Sequence, residues 1–112
     1  MTLNSGQAKM AGLMHESEVE AGVVSLCKAL GLLRYHTYRS TRSPAGFPDE
    51  VVVGPNGMIY RELKSQTGKV SGEQQKWLDG LRAAGQDVGV WRPEHLLDGT
   101  IAATLKALSG RR

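Results

Sequence analysis

The stretch from Gly46 to Lys64 constrains this chain more than any other, because a turn in its middle decides which side chains meet. Glu50-Val51-Val52-Val53 and Met58-Ile59-Tyr60-Arg61-Glu62-Leu63 are rich in β-branched and aromatic residues. They flank Gly54-Pro55-Asn56-Gly57, a turn by composition, so the stretch reads as a β-hairpin. If Gly54 pairs with Gly57, Asp49 lies directly opposite Glu62; if Asn56-Gly57 is the two-residue loop, Asp49 faces Lys64 and Val51 faces Glu62. In both registers Asp49, Glu62 and Lys64 share one face, since side chains alternate with period two and opposed residues point the same way.

Two carboxylates side by side repel by about 4 kcal/mol at ~4 Å and an effective dielectric of ~20, and a divalent cation is the commonest reason for such a pair. Oxygen ligands on rigid strands suit Mg²⁺ or Mn²⁺, hard ions that keep several waters and bind phosphates. Lys64, two residues beyond Glu62, then stands where it can hold an attacking water or offset charge on a phosphoryl transition state. The competing structural reading of Glu-x-Lys on a strand is a cross-strand ion pair.

A chain of 112 residues suits one domain, expected over residues 14–112 after a frayed, flexible arm over residues 1–13, with Met14 as an alternative start. No apolar run approaches the ~18 residues of a membrane span, no secretory segment is evident, and a cytoplasmic location is expected. The lone Cys27 lies in a helical apolar pattern and reads as a buried core residue. A net charge of +3 and a pI near 9.2 are compatible with a nucleic-acid partner without demanding one.

From His15 to Leu30 the residues Val19, Val23, Leu26, Cys27 and Leu30 form a helical stripe, with Gly31 as the stop. Glu16 and Glu20 lie at the edge of the inward face, where the helix dipole alone also favours acids. Leu32 to Tyr38 reads as a first strand, followed by the polar loop 39–46. Arg39, Ser40, Arg42 and Ser43 in that loop can clasp phosphates, or form only a solvated surface. His36, on the strand leading to it, is a structural histidine or a substrate contact. His15 and His95 have no ligand spacing with each other or with Cys27, which argues against zinc.

Beyond Lys64, Ser71-x-x-Gln74 is a capping box that opens a helix carrying Gln74, Trp77, Leu78, Leu81 and Ala84 on one face and closing at Gly85. Lys69 fits a phosphate contact or a solvated face. Val88 to Trp91 is a short strand expected parallel to the hairpin's second strand, because a helix joins them. A weak turn at Glu94–Leu97 and a final helix over about 99–109 complete the chain. The order helix, three strands, helix, strand gives an α/β core with a mixed four-stranded sheet and one extra C-terminal helix.

The ordered set Gly46-Phe47-Pro48-Asp49, Glu62-Leu63-Lys64-Ser65, Gly68, Ser71-x-x-Gln74, Trp77-Leu78, Leu81 and Gly85 resembles the VRR-NUC family of the PD-(D/E)XK nuclease superfamily, over roughly Glu16 to Pro93. It looks most like the small stand-alone members from phages and bacteria. The resemblance implies a restriction-endonuclease-like fold and a Mg²⁺- or Mn²⁺-dependent DNA endonuclease. In it Asp49, Glu62 and the Leu63 carbonyl bind the metal, and Glu16 acts directly or through water, with Glu20 as second choice. Lys64 orients the nucleophile and Gln74 lies near the site. The resemblance also implies a homodimer acting on branched DNA such as four-way junctions or flaps, with no nucleotide cofactor. A non-catalytic DNA-binding module on the same fold is the alternative reading.

Overall fold

The structure is a computed structural model and describes residues 2–38 and 41–111. Its elements in chain order are α1 (Ser5–Leu13), α2 (Glu16–Leu30), β1 (Leu33–His36), β2 (Glu50–Gly54), β3 (Gly57–Leu63), α3 (Gly72–Ala83), β4 (Asp87–Trp91), α4 (Pro93–Leu97) and α5 (Thr100–Ser109). The four strands form one sheet in the order β1-β2-β3-β4, antiparallel except for the parallel β3–β4 pair. This is the mixed α/β architecture anticipated for a PD-(D/E)XK core.

Alternation along the strands splits the sheet into two faces with different partners. Val52, Ile59, Leu63 and Trp91 turn to the face packed by α2 and α5, where they meet Val19, Val23, Cys27, Ile101, Leu105 and Leu108 in a continuous buried core. The opposite face carries Val51 and Tyr60, directly paired across β2 and β3. There Phe47 stacks edge-on against both Tyr60 and Trp77 of α3, with ring centroids 6.2 and 5.2 Å apart. Towards β1 this second face is left bare: Leu33, Val53 and Met58 stand in one cross-strand row and are 73%, 38% and 41% exposed.

Gly54 pairs with Gly57, so Pro55 and Asn56 form the turn and Glu50 pairs with Arg61. One step beyond the last pair, Asp49 falls opposite Glu62. The choice of register is anchored from outside the hairpin: the Asn56 amide donates to Leu108 O at 3.1 Å and its side chain donates to Ala107 O at 2.9 Å, at the end of α5.

Three expectations are corrected. Residues 5–13 are helix α1 rather than a frayed arm. Asn4 caps it, with Gln7 N donating to Asn4 Oδ1 at 2.8 Å and Gln7 Oε1 accepting from Asn4 N at 3.1 Å, and Ala11 is buried. The first strand stops at His36 instead of reaching Tyr38; Thr37 still ties the chain to the loop before β2, its amide donating to Asp49 O and its hydroxyl to Pro48 O, both at 2.8 Å. Glu94 to Leu97, expected as a turn, belongs to the short helix α4, opened by Pro93.

Candidate active site

The end of the hairpin, the first turn of α3 and the start of α2 converge where β2 and β3 separate. Glu62 is 2% exposed, and its Oε2 accepts from Gln74 Nε2 at 2.8 Å and lies 3.7 Å from Lys64 Nζ. Asp49 Oδ2 accepts from the Leu63 amide at 2.8 Å, which ties the loop end of β2 to the backbone between Glu62 and Lys64. Gln74 reaches Glu62 because the capping box predicted at Ser71 forms: Gln74 N donates to Ser71 Oγ at 3.2 Å and Gln74 Oε1 accepts from Ser71 N at 2.9 Å. One side chain thus caps α3 and holds a site carboxylate.

The approach of α3 to Asp49 depends on Gly46. Its φ of +100° is a left-handed conformation, and a Cβ there would lie 2.5 Å from the Glu73 carbonyl carbon and oxygen. Only glycine lets the loop pass against the helix start three residues before Asp49.

The electrostatics of this corner are those of crowded acids. Burial first, and then the charge of Asp49, push the Glu62 carboxyl from 4.5 up to about 8. Glu16, at the start of α2, is raised as well, by partial desolvation first and then by Asp49, while Lys64 pulls it back. Glu16 therefore belongs to the same electrostatic group as Asp49, Glu62 and Lys64. Glu62 Oε1 is buried and has no hydrogen-bond partner among the described residues. A buried carboxylate oxygen without a donor is costly unless a cation satisfies it. The donor set of hard oxygens, with an orphaned one among them, fits Mg²⁺ or Mn²⁺.

Glu20 stands elsewhere. On the other sheet face, Glu20, His36 and buried Glu50 bring ligand-type atoms within 4.8 Å of one another. Arg34 already occupies the centre of that cluster: its guanidinium bonds both Glu50 oxygens and donates to Glu20 Oε2 at 2.7 Å. His36 Nδ1 lies 2.5 Å from Glu50 Oε2 and 3.2 Å from Glu20 Oε2. These hydrogen bonds and the Arg34 ion pairs make the cluster a network that clamps α2 to β1 and β2. His36, considered above as a DNA contact, is built into this network. Sequence reasoning missed Arg34 and Glu50; the available signal was a strand whose polar members, Arg34 and His36, are the half-buried ones while Leu33 and Tyr35 are exposed.

Of the remaining candidates, Arg42, Ser43 and Lys69 are exposed, and Arg39 and Ser40 lie outside the described residues. After Lys64 the chain is braced by Arg92, whose Nη1 donates to Ser65 O at 2.8 Å and Gly68 O at 2.7 Å. Among the described residues no helix is long and apolar enough to cross a membrane.

No protein-family model and no curated protein matches the sequence. A solved structure described as a "VRR_NUC domain" is similar over 76% of this chain and 92% of its own length, with 25% identity and a TM-score of 0.62. The match spans nearly all of that domain, and the fold positions together the motif residues that carried the sequence resemblance. The chain thus has the fold of a VRR-NUC domain, that of the PD-(D/E)XK nucleases, and this similarity supports the family resemblance read from its motifs.

Proposed function

We propose that the protein is a divalent-metal-dependent DNA endonuclease which hydrolyses phosphodiester bonds in branched DNA such as four-way junctions or flaps. The observation that carries this reading is the buried, partnerless Glu62 Oε1 beside Asp49 and Lys64. Mg²⁺ or Mn²⁺ held by Asp49, Glu62 and the Leu63 carbonyl, with Glu16 bound directly or through water, supplies Lewis acidity to the phosphate and lowers the pKa of a water.

The chain's own groups do the positioning. The Leu63 amide fixes one oxygen of Asp49, and Gln74 fixes one oxygen of Glu62. Glu62 thus keeps its buried Oε1 for a ligand. Lys64 donates to the attacking water and offsets the charge that accumulates on the phosphoryl oxygens. Asp49→Ala and Lys64→Ala are expected to abolish cleavage of single-stranded, duplex, flap and four-way DNA in Mg²⁺ or Mn²⁺ while leaving the melting temperature of the metal-free protein within a few degrees. Full activity in either variant refutes the assignment.

A homodimer is part of the same reading, since one small domain offers little surface to a branched duplex and paired cuts need paired sites. The bare row of Leu33, Val53 and Met58 beside the open edge of β1 supports it. Sedimentation as a monomer at assay concentration would remove the basis for paired cleavage.

A further inference from the structure

Between the loop after β1 and the first turn of α3 lies a cavity of about 630 Å³, lined among others by Tyr35, Thr37, Tyr38, Ser43, Ser71 and Glu73. It adjoins the carboxylate site directly, because Gln74 lines the cavity and also donates to Glu62 Oε2 at 2.8 Å. An occupant is therefore a near neighbour of whatever the carboxylates hold.

Two aromatic rings rim the opening. Tyr35 is 65% exposed and Tyr38 80% exposed, an unusual investment of aromatic area in solvent beside a site. Tyr38 is braced from behind: its ring meets that of His36 edge-on at 4.8 Å and 74°, and His36 is itself held by Glu50. A ring supported at one edge and otherwise uncovered is a stacking platform.

The polar lining chooses between the parts of a nucleotide. Glu73, exposed in the first turn of α3, repels a phosphate but accepts from the N–H edge of a base. Ser71 Oγ already accepts from Gln74 N, so its hydroxyl hydrogen remains to donate to a base carbonyl or ring nitrogen. A paired base has spent its donor edge on its partner and both faces on its neighbours; an unpaired base offers edge and face together.

We propose that this cavity receives an unpaired nucleobase next to the cleavage position, stacked on Tyr38 and Tyr35 with Glu73 accepting from its N–H edge. The preference for DNA with unpaired nucleotides then originates in this chain's own cavity, on the nuclease reading given above. An exposed platform of this kind contributes through stacking that is tolerant of base identity.

The test compares a short DNA duplex with the same duplex carrying a 2-aminopurine bulge, followed by anisotropy and by 2-aminopurine fluorescence without metal. The wild type is expected to bind the bulged DNA about tenfold or more tightly than the duplex, with the fluorescence quenched on binding. Tyr38→Ala is expected to bring the ratio of affinities to within about threefold and to restore the fluorescence, whereas Tyr38→Phe keeps both the ratio and the quenching. Equal binding of the two DNAs by the wild type, an undiminished ratio in Tyr38→Ala, or a Phe variant that behaves like Ala overturns the proposal. The exposure of Tyr38 means that these variants fold, and their melting temperatures check it. Cleavage of the same DNAs by the wild type in Mn²⁺ is scored separately. A binding preference without cleavage sinks the nuclease reading and leaves the base pocket standing. Cleavage without the preference does the reverse.

Discussion

Replacing Glu62 by glutamine isolates the charge on which the proposed metal site depends. The Glu62 carboxyl loses its proton near 4.5 in the unfolded chain and near 8 in the folded one, because it is buried and then because Asp49 faces it. An acid of this kind destabilises the fold once ionised. Below 4.5 both states hold the proton and the group contributes nothing. Between the two values only the folded state holds it, so stability falls as pH rises, and above about 8 the loss is complete. The whole window corresponds to at most roughly 5 kcal/mol. Attraction to Lys64, 3.7 Å away, is already contained in that value, and screening at a site reached by water brings the effect to about 2 to 4 kcal/mol. Glutamine keeps the shape and still accepts from Gln74, but it cannot ionise. At about 4 °C per kcal/mol for a domain of this size, the melting temperature of Glu62→Gln should exceed that of the wild type by about 10 °C more at pH 9 than at pH 5 in EDTA. Adding Mn²⁺ at pH 8 should raise the wild type and not the variant, and the wild-type affinity should weaken about tenfold per pH unit below 8 as the ion competes with a proton. A difference between the two proteins that stays constant from pH 5 to 9, or equal stabilisation of both by Mn²⁺, would refute the electrostatic account of this site.

Gly46→Ala forces a Cβ against the Glu73 carbonyl at a left-handed backbone position. It should cost about 1 to 3 kcal/mol in urea denaturation and lower the cleavage rate through displacement of Asp49 from α3, and a silent substitution would show that the loop is free to shift. Arg34→Met removes the guanidinium that bonds both oxygens of fully buried Glu50, and roughly 3 to 5 kcal/mol of stability should go with it. The double replacement Arg34→Met with Glu50→Leu should recover most of that loss, and a single variant less than about 1 kcal/mol below the wild type would mean that Glu50 stays solvated. Asp49→Ala and Lys64→Ala, described above, separate loss of chemistry from loss of fold.

Local chemistry made much of the architecture legible. The capping box at Ser71-x-x-Gln74 needs only four consecutive residues, and it forms as read. The parallel placement of β4 follows from a helical crossover, and the common face of Asp49, Glu62 and Lys64 follows from strand parity, which is indifferent to an even slip. Helix α1 escaped because its apolar content is low, although Asn4-x-x-Gln7, the same capping chemistry, was present as a signal.

Information carried by neighbouring residues was therefore periodic and local: which residues alternate, where helices open, and which three ionisable groups share a strand face. The exact partner of Asp49 was decided by the tertiary structure, because two turns were chemically admissible and the hydrogen bonds from Asn56 to the end of α5 select the one that pairs Gly54 with Gly57. The same holds for Glu16 and Glu20. One helical turn apart on α2, they are equivalent by pattern, yet Arg34 and His36 hold Glu20 on one side of the sheet while the charges of Asp49 and Lys64 act on Glu16. Such choices depend on groups 14 to 52 positions distant, brought close only when the core of α2, α5 and the sheet closes.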